Sequence, residues 1–298
     1  MTASAATVAA SASDRLLARV ERIGAAVCVG LDPVVEKLPA ALRPSKAGDD
    51  AAAAAIEAFS TAVLDAVAGR VPAVKVQAAC YERHGVHGVA ALARVLAHAR
   101  GLNAFEVILD FKRGDIGVSA DHYAASARGP FGADWTTING YLGSDGILPF
   151  LGGGRGAFAL VRTSNPSGDA LQSLRLADGR TVAEAVGDLV AATGTSHVGA
   201  HGFSDLGAVV GATKRADAAA LRARMPQQVF LVPGFGAQGG GVDDVLPCFR
   251  ADGRGALVTA SRSVIYAFDP ADRAWTDGVR RGADELRTQI GQALGARA

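Results

Sequence analysis

The chain repeats one pattern, in which a short apolar run is followed by a polar or glycine-bearing loop and then by an alanine-rich stretch with helical spacing. Several apolar runs show no alternation of polar and apolar positions, which is typical of parallel strands that are buried on both faces. The runs predict strands at residues 26–31, 73–76, 106–110, 135–139, 157–162, 208–212, 228–232 and 255–259. The stretches between them predict helices at residues 49–68, 87–100, 119–127, 181–193, 216–224 and 278–294.

Eight strands with interleaved helices favour the α/β class and a closed parallel (β/α)8 TIM barrel, although the count alone leaves an open doubly wound sheet possible. No break in composition marks a second domain. Residues 1–298 are therefore predicted to form a single barrel domain, with residues 1–13 as a flexible tail. In a barrel of this kind, catalytic side chains lie at the C-terminal ends of the strands or just beyond them.

Composition and charge narrow the classes of function. Thirty basic residues against twenty-nine acidic ones give a net charge of +1, so we expect no nucleic-acid partner. The N-terminus lacks the charge and apolar core of a signal peptide, and no run reaches the roughly 18 to 20 apolar residues of a membrane span. Cys28, Cys80 and Cys248 are widely spaced, which predicts unpaired thiols in the cytoplasm. A small anionic substrate remains possible.

Charged residues cluster where the third predicted strand ends. Asp110 and Lys112 are two positions apart, so a strand would project both to the same side, and Asp115 follows in the loop. Lys75 lies inside the neighbouring apolar strand and needs a partner if it is buried, for which Asp110 is the natural candidate. We expect an alternating array of these four charges. The simpler alternatives are an ordinary ion pair that closes the barrel and a Lys75 head group that reaches solvent.

A second group of residues points to an anion. The glycine-rich run 233–241 follows the seventh strand, and Arg262 follows the eighth. Glycines let backbone amides approach an anion closely, and arginine can bind phosphate oxygens with two donors. The loops after strands seven and eight are the usual phosphate site of this fold. A phosphorylated ligand is therefore favoured over a plain flexible turn.

The run 110–116 (Asp-Phe-Lys-Arg-Gly-Asp-Ile) resembles the Asp-x-Lys-x-x-Asp signature of the orotidine 5′-monophosphate decarboxylases. Further segments resemble the longer bacterial subgroup of that family (type 2) in the same order: residues 30–33, 75–77, 163–167, 209–213 and 233–240. The sequence departs from the usual pattern at two positions, with Val76 and Gly140 where proline is common.

The resemblance implies decarboxylation of orotidine 5′-monophosphate to uridine 5′-monophosphate, the last step of de novo pyrimidine synthesis, with no metal or organic cofactor. It implies that Asp110 lies near the departing carboxylate and disfavours the charged ground state. Lys112 would stabilise the carbanion at carbon six and supply the proton that replaces carbon dioxide. Lys75 would support the charge network, and Asp115 would reach the site of a neighbouring subunit.

The resemblance also implies substrate-binding roles and a partner. Asp32 would bind ribose hydroxyls together with Lys75, and Ser164 would bond the pyrimidine. Gln238 and Arg262 would hold the phosphate. Ser119, close behind the aspartate that reaches the neighbour, would belong to the shared site, so the active form would be a homodimer.

Three alternatives remain open from the sequence. A magnesium-dependent sugar-phosphate decarboxylase, such as a 3-keto-gulonate-6-phosphate decarboxylase, shares the Asp-x-Lys-x-x-Asp signature. A Schiff-base aldolase through Lys75 or Lys112 is disfavoured, since neighbouring carboxylates favour the protonated, non-nucleophilic lysine. A non-catalytic nucleotide-binding barrel would bind uridine 5′-monophosphate without turning over orotidylate.

Overall fold

The computed structural model of the chain describes residues 10–236 and 240–295. Its eight strands are β1 (Val27–Leu31), β2 (Ala73–Gln77), β3 (Glu106–Arg113), β4 (Trp135–Ile138), β5 (Gly156–Arg162), β6 (Ser204–Val210), β7 (Gln228–Val232) and β8 (Ala256–Ala260). Each strand pairs in parallel with its neighbour in the sequence, and β8 pairs with β1 through Val27↔Val258 to Val29↔Ala260. The predicted closed barrel is confirmed, and the open sheet is wrong.

Two strands differ from their predicted bounds by more than one residue. β6 begins at Ser204, four residues before the predicted start, because Ser204 and Asp205 are polar and hide it in the sequence. Both are buried with partners, as the Ser204 hydroxyl donates to the Gly194 carbonyl at 2.8 Å and the Asp205 carboxylate accepts from Ser13. β3 continues three residues past its predicted end, to Arg113, so its last positions carry the charged cluster.

The helices lie between the strands, and each predicted helix is present within three residues of its predicted bounds. They are α1 (Ala12–Ile23), α2 (Asp49–Val67), α3 (Ala79–Glu82), α4 (Gly85–Leu102), α5 (Gly117–Arg128), α6 (Ser144–Ile147), α7 (Asp169–Gln172), α8 (Val182–Gly194), α9 (Arg215–Arg224), α10 (Val242–Val245), α11 (Arg262–Ile265) and α12 (Trp275–Gly295). Within the described ranges, none of these helices combines the length and the apolar character that a bilayer crossing requires.

The strands divide the core into two layers, because successive side chains point to opposite faces. Val107 and Leu109 belong to the outer layer, between the barrel and its helices, as their position in the sequence predicts. Ile108 belongs to the inner layer, where it meets Trp135 and Phe158, whose rings stack with centroids 4.6 Å apart. The inner layer fills the barrel below its C-terminal mouth and supports the charged residues above it.

Helix α1 lies at the N-terminal end of the barrel and was not among the predicted helices. Leu16 and Leu17 pack into the inner layer, and Ser11 caps the helix by accepting a hydrogen bond from the Asp14 amide. The Ser13 hydroxyl is fully buried and donates to the Phe203 carbonyl at 2.8 Å. The predicted tail over residues 1–13 is therefore too long at its C-terminal end, because these short polar side chains start a helix.

Candidate active site

A cavity of about 440 Å³ opens at the C-terminal ends of the strands. Its size falls within the usual range of small-molecule sites, roughly 300–1,000 Å³. Each strand, or the loop directly after it, contributes lining residues: Asp32, Lys75, Gln77, Asp110, Lys112, Thr137, Leu160, Thr163, Ser164, Asn165, Val209, Leu231, Pro233, Gly234, Phe235, Thr259, Ser261 and Arg262. Six of the polar side chains predicted at the strand ends thus meet in one place, as expected for a barrel of this kind: Asp32, Lys75, Asp110, Lys112, Ser164 and Arg262.

Three of the four charges in the predicted array are joined in a row. The Lys75 ammonium lies 2.7 Å from Asp110 Oδ2, and the Lys112 ammonium lies 2.6 Å from Asp110 Oδ1. At the other end of the row, Lys75 Nζ lies 3.7 Å from Asp32 Oδ1. The Lys75 side chain is only 8% exposed, so the alternative in which its head group reaches solvent is wrong.

Asp110 is the centre of the row, and its carboxylate accepts four hydrogen bonds. Besides the two lysines, Gln77 Nε2 donates at 3.1 Å and the Thr137 hydroxyl donates at 2.7 Å. Burial alone would raise the pKa of Asp110, but the charges of Lys75 and Lys112 outweigh it and hold that pKa well below its ordinary range. Asp110 is therefore a fixed anion in the floor of the cavity.

The pKa of Lys75 is shifted in the opposite direction. Burial alone would lower its pKa, but the Asp110 and Asp32 carboxylates outweigh burial and raise the pKa of Lys75 above its ordinary value. Lys75 is therefore held as an ammonium ion and is a poor nucleophile. The state of this lysine argues against a Schiff-base aldolase that would act through it.

Lys112 reaches the cavity by a different geometry from the regular strand that the sequence predicts. Its φ of +46° lies in the left-handed region, and the β3–β4 pairing shifts register between Leu109 and Arg113. A left-handed residue with a side chain costs about 1–2 kcal/mol. Two contacts hold it there, since the Lys112 amide donates to the Thr137 hydroxyl at 3.0 Å and the ammonium binds Asp110. Strain of this kind is concentrated at functional sites.

Asp115 is the one member of the predicted four-charge array that does not join it. Among the described residues, no cation lies within ion-pair distance of its carboxylate, which accepts only the amide of the next residue, Ile116, at 2.8 Å. Neither Asp115 nor Ser119, on the first turn of α5, lines the cavity of its own chain. Within one chain the array therefore has three of its four predicted members, because the chain leaves the barrel after Arg113.

The predicted substrate-binding residues fall into three groups. Asp32, Ser164 and Arg262 line the cavity, as the positions after their strands predict. Ser119 does not. Gln238 lies outside the described residues.

Several residues at the site were not predicted to have a role there. Gln77, Thr137 and Thr259 line the cavity, and Tyr266 contacts the loop that carries Asp32. The Tyr266 hydroxyl accepts from the Val34 amide at 2.8 Å and donates to the Asp32 carbonyl at 3.2 Å, which fixes the loop after β1. Strand parity could have identified Gln77, which is two positions from Lys75. No signal in the sequence points to Tyr266, because its contact spans most of the chain.

We predict that Asp110→Asn lowers the free energy of unfolding by about 3 kcal/mol at neutral pH, because Lys75 stays buried without its nearest counter-charge. The pKa of Asp110 is lowered by folding, so its contribution is present above its ordinary pKa of about 4 and is lost at lower pH. The pKa of Lys75 is raised, so its contribution is present below its ordinary pKa of about 10 and is lost as the pH rises through the folded value.

Urea unfolding of both proteins across the pH range measures this difference. It should stay at its full value from about pH 5 to about pH 9 and shrink below about pH 4. A difference that is the same in acid as at neutral pH would contradict the assignment of Asp110 as the buried anion.

Comparison with known proteins gives one consistent result. Residues 25–275 match the model of the family described as orotidine 5′-phosphate decarboxylase / HUMPS. The orotidine 5′-phosphate decarboxylase of Rhodopirellula baltica is 42% identical over 296 residues, covering 93% of this chain and 97% of that protein. The range matched by the family model includes Asp32, Lys75, Asp110 and Lys112, the charged residues of the row.

Two solved structures are similar to this chain in both fold and sequence. The Leishmania donovani OMP decarboxylase has a TM-score of 0.76 and 32% identity, covering 96% of this chain and 99% of that one. The Leishmania donovani UMP synthase has a TM-score of 0.80 and 34% identity, and the match covers 96% of this chain but 57% of that longer one. The chain therefore belongs to the orotidine 5′-phosphate decarboxylase / HUMPS family, as an enzyme of the carboxy-lyase class.

Proposed function

We propose that the chain decarboxylates orotidine 5′-monophosphate to uridine 5′-monophosphate and carbon dioxide, as the last step of de novo pyrimidine synthesis. The observation that carries the proposal is the row Lys75, Asp110, Lys112 at the mouth of the barrel. It supplies a fixed anion next to a fixed cation, with the cation closer to solvent. Loss of carbon dioxide leaves an electron pair on carbon six of the pyrimidine, and a cation beside that carbon favours the transition state.

In the proposed reaction, the bond between carbon six and the carboxylate breaks and its electron pair stays on carbon six. The Lys112 ammonium stabilises that charge and then donates a proton to the same carbon, so that atoms and charge balance without a redox partner. Asp110 lies near the departing carboxylate, and like-charge repulsion there disfavours the ground state more than the transition state. The pre-set contact between Lys112 and Asp110 means that little reorganisation is needed during the reaction.

The hydrogen bonds that the Asp110 carboxylate accepts support a metal-free mechanism over magnesium-dependent decarboxylation of a sugar phosphate. Both of its oxygens already accept hydrogen bonds, Oδ1 from Lys112 and Thr137 and Oδ2 from Lys75 and Gln77. A cation that bound this carboxylate would have to displace a lysine from it. The row therefore suits a site in which the ammonium of Lys112 is the electrophile.

The remaining lining residues suit the other parts of the nucleotide. We assign the ribose hydroxyls to Asp32 and Lys75, since Asp32 Oδ1 is buried and accepts no hydrogen bond within the described residues. We assign the pyrimidine to Ser164, on the loop after β5. We assign the phosphate to Arg262 and Gln238, because phosphate is the usual ligand of the loops after strands seven and eight.

We further propose a homodimer in which Asp115 and Ser119 complete the cavity of the partner subunit. The support is that Asp115 makes no ion pair with the described residues of its own chain, while large apolar side chains next to it in the sequence are exposed. Ile116 is 58% exposed and Val118 is 70% exposed. Exposed apolar residues next to a carboxylate without an ion-pair partner among the described residues are typical of an interface that buries both. We place this dimer in the cytoplasm, where the three unpaired cysteines would stay reduced.

The proposed function is tested by following the ultraviolet absorbance of orotidine 5′-monophosphate with the purified protein, with and without a chelator. We expect complete conversion at the same rate in both samples. Loss of activity with the chelator, restored by magnesium, would favour the sugar-phosphate alternative. Binding of uridine 5′-monophosphate without turnover of orotidylate would favour the non-catalytic barrel.

A further inference from the structure

A second buried cluster lies directly behind the wall of the cavity that carries Ser164. It is centred on Arg162, the last residue of β5, which is 3% exposed and is not one of the residues that line the cavity. The β5–β6 pairing shifts register between Leu160 and Arg162. Leu160 lines the cavity, and regular alternation would turn the side chain two positions later to the same side. The irregularity instead allows the guanidinium to bind residues of α7 and α9.

The guanidinium of Arg162 binds two helices through charged contacts. Nε donates to Asp217 Oδ2 on α9 at 2.7 Å, and Nη2 donates to Asp169 Oδ1 on α7 at 2.6 Å. Lys214 also binds Asp169, with Nζ at 2.7 Å from Oδ1. One planar cation thus fixes the first turn of α9 and the short helix α7 relative to the end of β5, a geometry that only arginine supplies.

Besides a hydrogen bond from Nη2 to the Ser173 hydroxyl at 3.2 Å, Arg162 makes one further contact, which leads to the cavity wall. Nη1 donates to Gln172 Oε1 at 3.0 Å, and the same oxygen accepts the amide of Thr163 at 2.9 Å. Gln172 Nε2 in turn donates to the Thr163 hydroxyl at 2.8 Å. Gln172 therefore holds both the backbone and the side chain of the first residue in the segment 163–165. All three residues of that segment line the cavity.

The loop after β6 holds the same segment from the other side. The Gly211 amide donates to the Arg162 carbonyl at 2.8 Å, and the Thr213 hydroxyl donates to the Ser164 carbonyl at 3.1 Å. A Cβ at Gly211 would lie 2.8 Å from the backbone of Ser164, so only glycine fits this close approach. The position of Ser164 is thus set by its neighbours in the fold rather than by its own side chain.

We propose that Arg162 is a positioning residue that fixes the ligand-facing segment 163–165 through Gln172 and so sets the affinity of the site for the pyrimidine nucleotide. The proposal rests on the proposed function, in which Ser164 bonds the base. Arg162 itself does not line the cavity, so its effect reaches the nucleotide only through the segment it holds.

The test compares Arg162→Lys and Gln172→Ala with the double variant, using KM and kcat for orotidine 5′-monophosphate and calorimetric binding of uridine 5′-monophosphate. Lysine keeps the charge but has a single nitrogen, so it cannot hold both aspartates and Gln172. We expect each single change to raise KM about tenfold, the effect of one lost hydrogen bond, with kcat within about threefold. The double variant should be no worse than the worse single variant, because the two residues act in series.

Two controls separate positioning from general stability. Gln172→Glu keeps both the acceptor for Arg162 and the acceptor for the Thr163 amide, so it should restore KM to near the wild-type value. Arg180→Lys changes another arginine of the same connection, which binds Asp178 and Asp188 away from the cavity, and should leave KM unchanged.

Unchanged KM in Gln172→Ala, or effects that multiply in the double variant, would overturn the positioning role. Because uridine 5′-monophosphate binding is measured independently of turnover, this failure is distinct from failure of the proposed function. A wild-type protein that does not turn over orotidylate would count against the proposed reaction alone, while the binding series would still decide the role of Arg162.

Discussion

Replacing Lys112 with alanine is expected to lower kcat at least about 10⁴-fold, since one change removes both the cation beside carbon six and the proton donor. The fold should survive, because the Lys112 side chain is 46% exposed and its loss leaves Asp110 still bound to Lys75. Alanine keeps the Cβ that makes the left-handed backbone costly, so the strain is unchanged, and the substitution takes nothing from the core. Nucleotide binding should therefore stay measurable while turnover is lost.

Stopped-flow and steady-state assays with orotidine 5′-monophosphate measure turnover. Calorimetry with uridine 5′-monophosphate measures nucleotide binding on the same protein. Lys46→Ala is the matched control, because this lysine is exposed on the connection between β1 and α2 and does not line the cavity. We expect the control to behave as the wild type. Near-normal turnover in Lys112→Ala would contradict the assignment of Lys112 as the electrophile and proton donor.

The second large effect concerns the sharing of sites between subunits. Asp115→Ala is expected to lower kcat at least about 100-fold, as the loss of a charged group from a catalytic site commonly does. The change should not weaken the array within one chain, since Asp115 forms no ion pair in the described part of its own chain. Its effect would then arise entirely in the partner's cavity.

A hybrid dimer tests this directly. If the Lys112→Ala and Asp115→Ala chains are coexpressed with different tags and the mixed dimer is purified, one cavity carries both defects and the other carries none. A dimer with two-fold symmetry should therefore recover about half of the wild-type activity. The two parent dimers, purified in the same way, are the controls and should stay inactive. A mixed dimer as inactive as its parents would show that each chain completes its own site.

Much of the fold follows from local pattern. Buried parallel strands produce continuous apolar runs, so all eight strands and the six predicted helices are found near their predicted bounds. The exceptions are places where polar residues are buried against distant partners. Ser13 and Asp205 are far apart in the chain yet hydrogen-bonded, so the start of β6 could not be read from the local pattern. Helix α1 does carry local signals, with the Ser11 cap ahead of Leu16 and Leu17, but it was not among the predicted helices.

The candidate site was predictable to a similar extent and for similar reasons. Strand parity and the cost of a buried ammonium placed Lys75 beside Asp110, and the structure confirms this pair at 2.7 Å. Parity also predicted the right side for Lys112, although the residue reaches it through a left-handed backbone and a register shift. The role of Arg162 could not be predicted, because a regular strand would have turned its side chain toward the cavity.

The most direct test of the central account uses metal-depleted protein in heavy water. Orotidine 5′-monophosphate should be converted fully in the presence of a chelator, with carbon dioxide and uridine 5′-monophosphate formed in equal amounts and one deuterium at carbon six of the product. This result is what proton donation from Lys112, exchanged with solvent, predicts. No conversion until magnesium is added, or product without deuterium at carbon six, would contradict it.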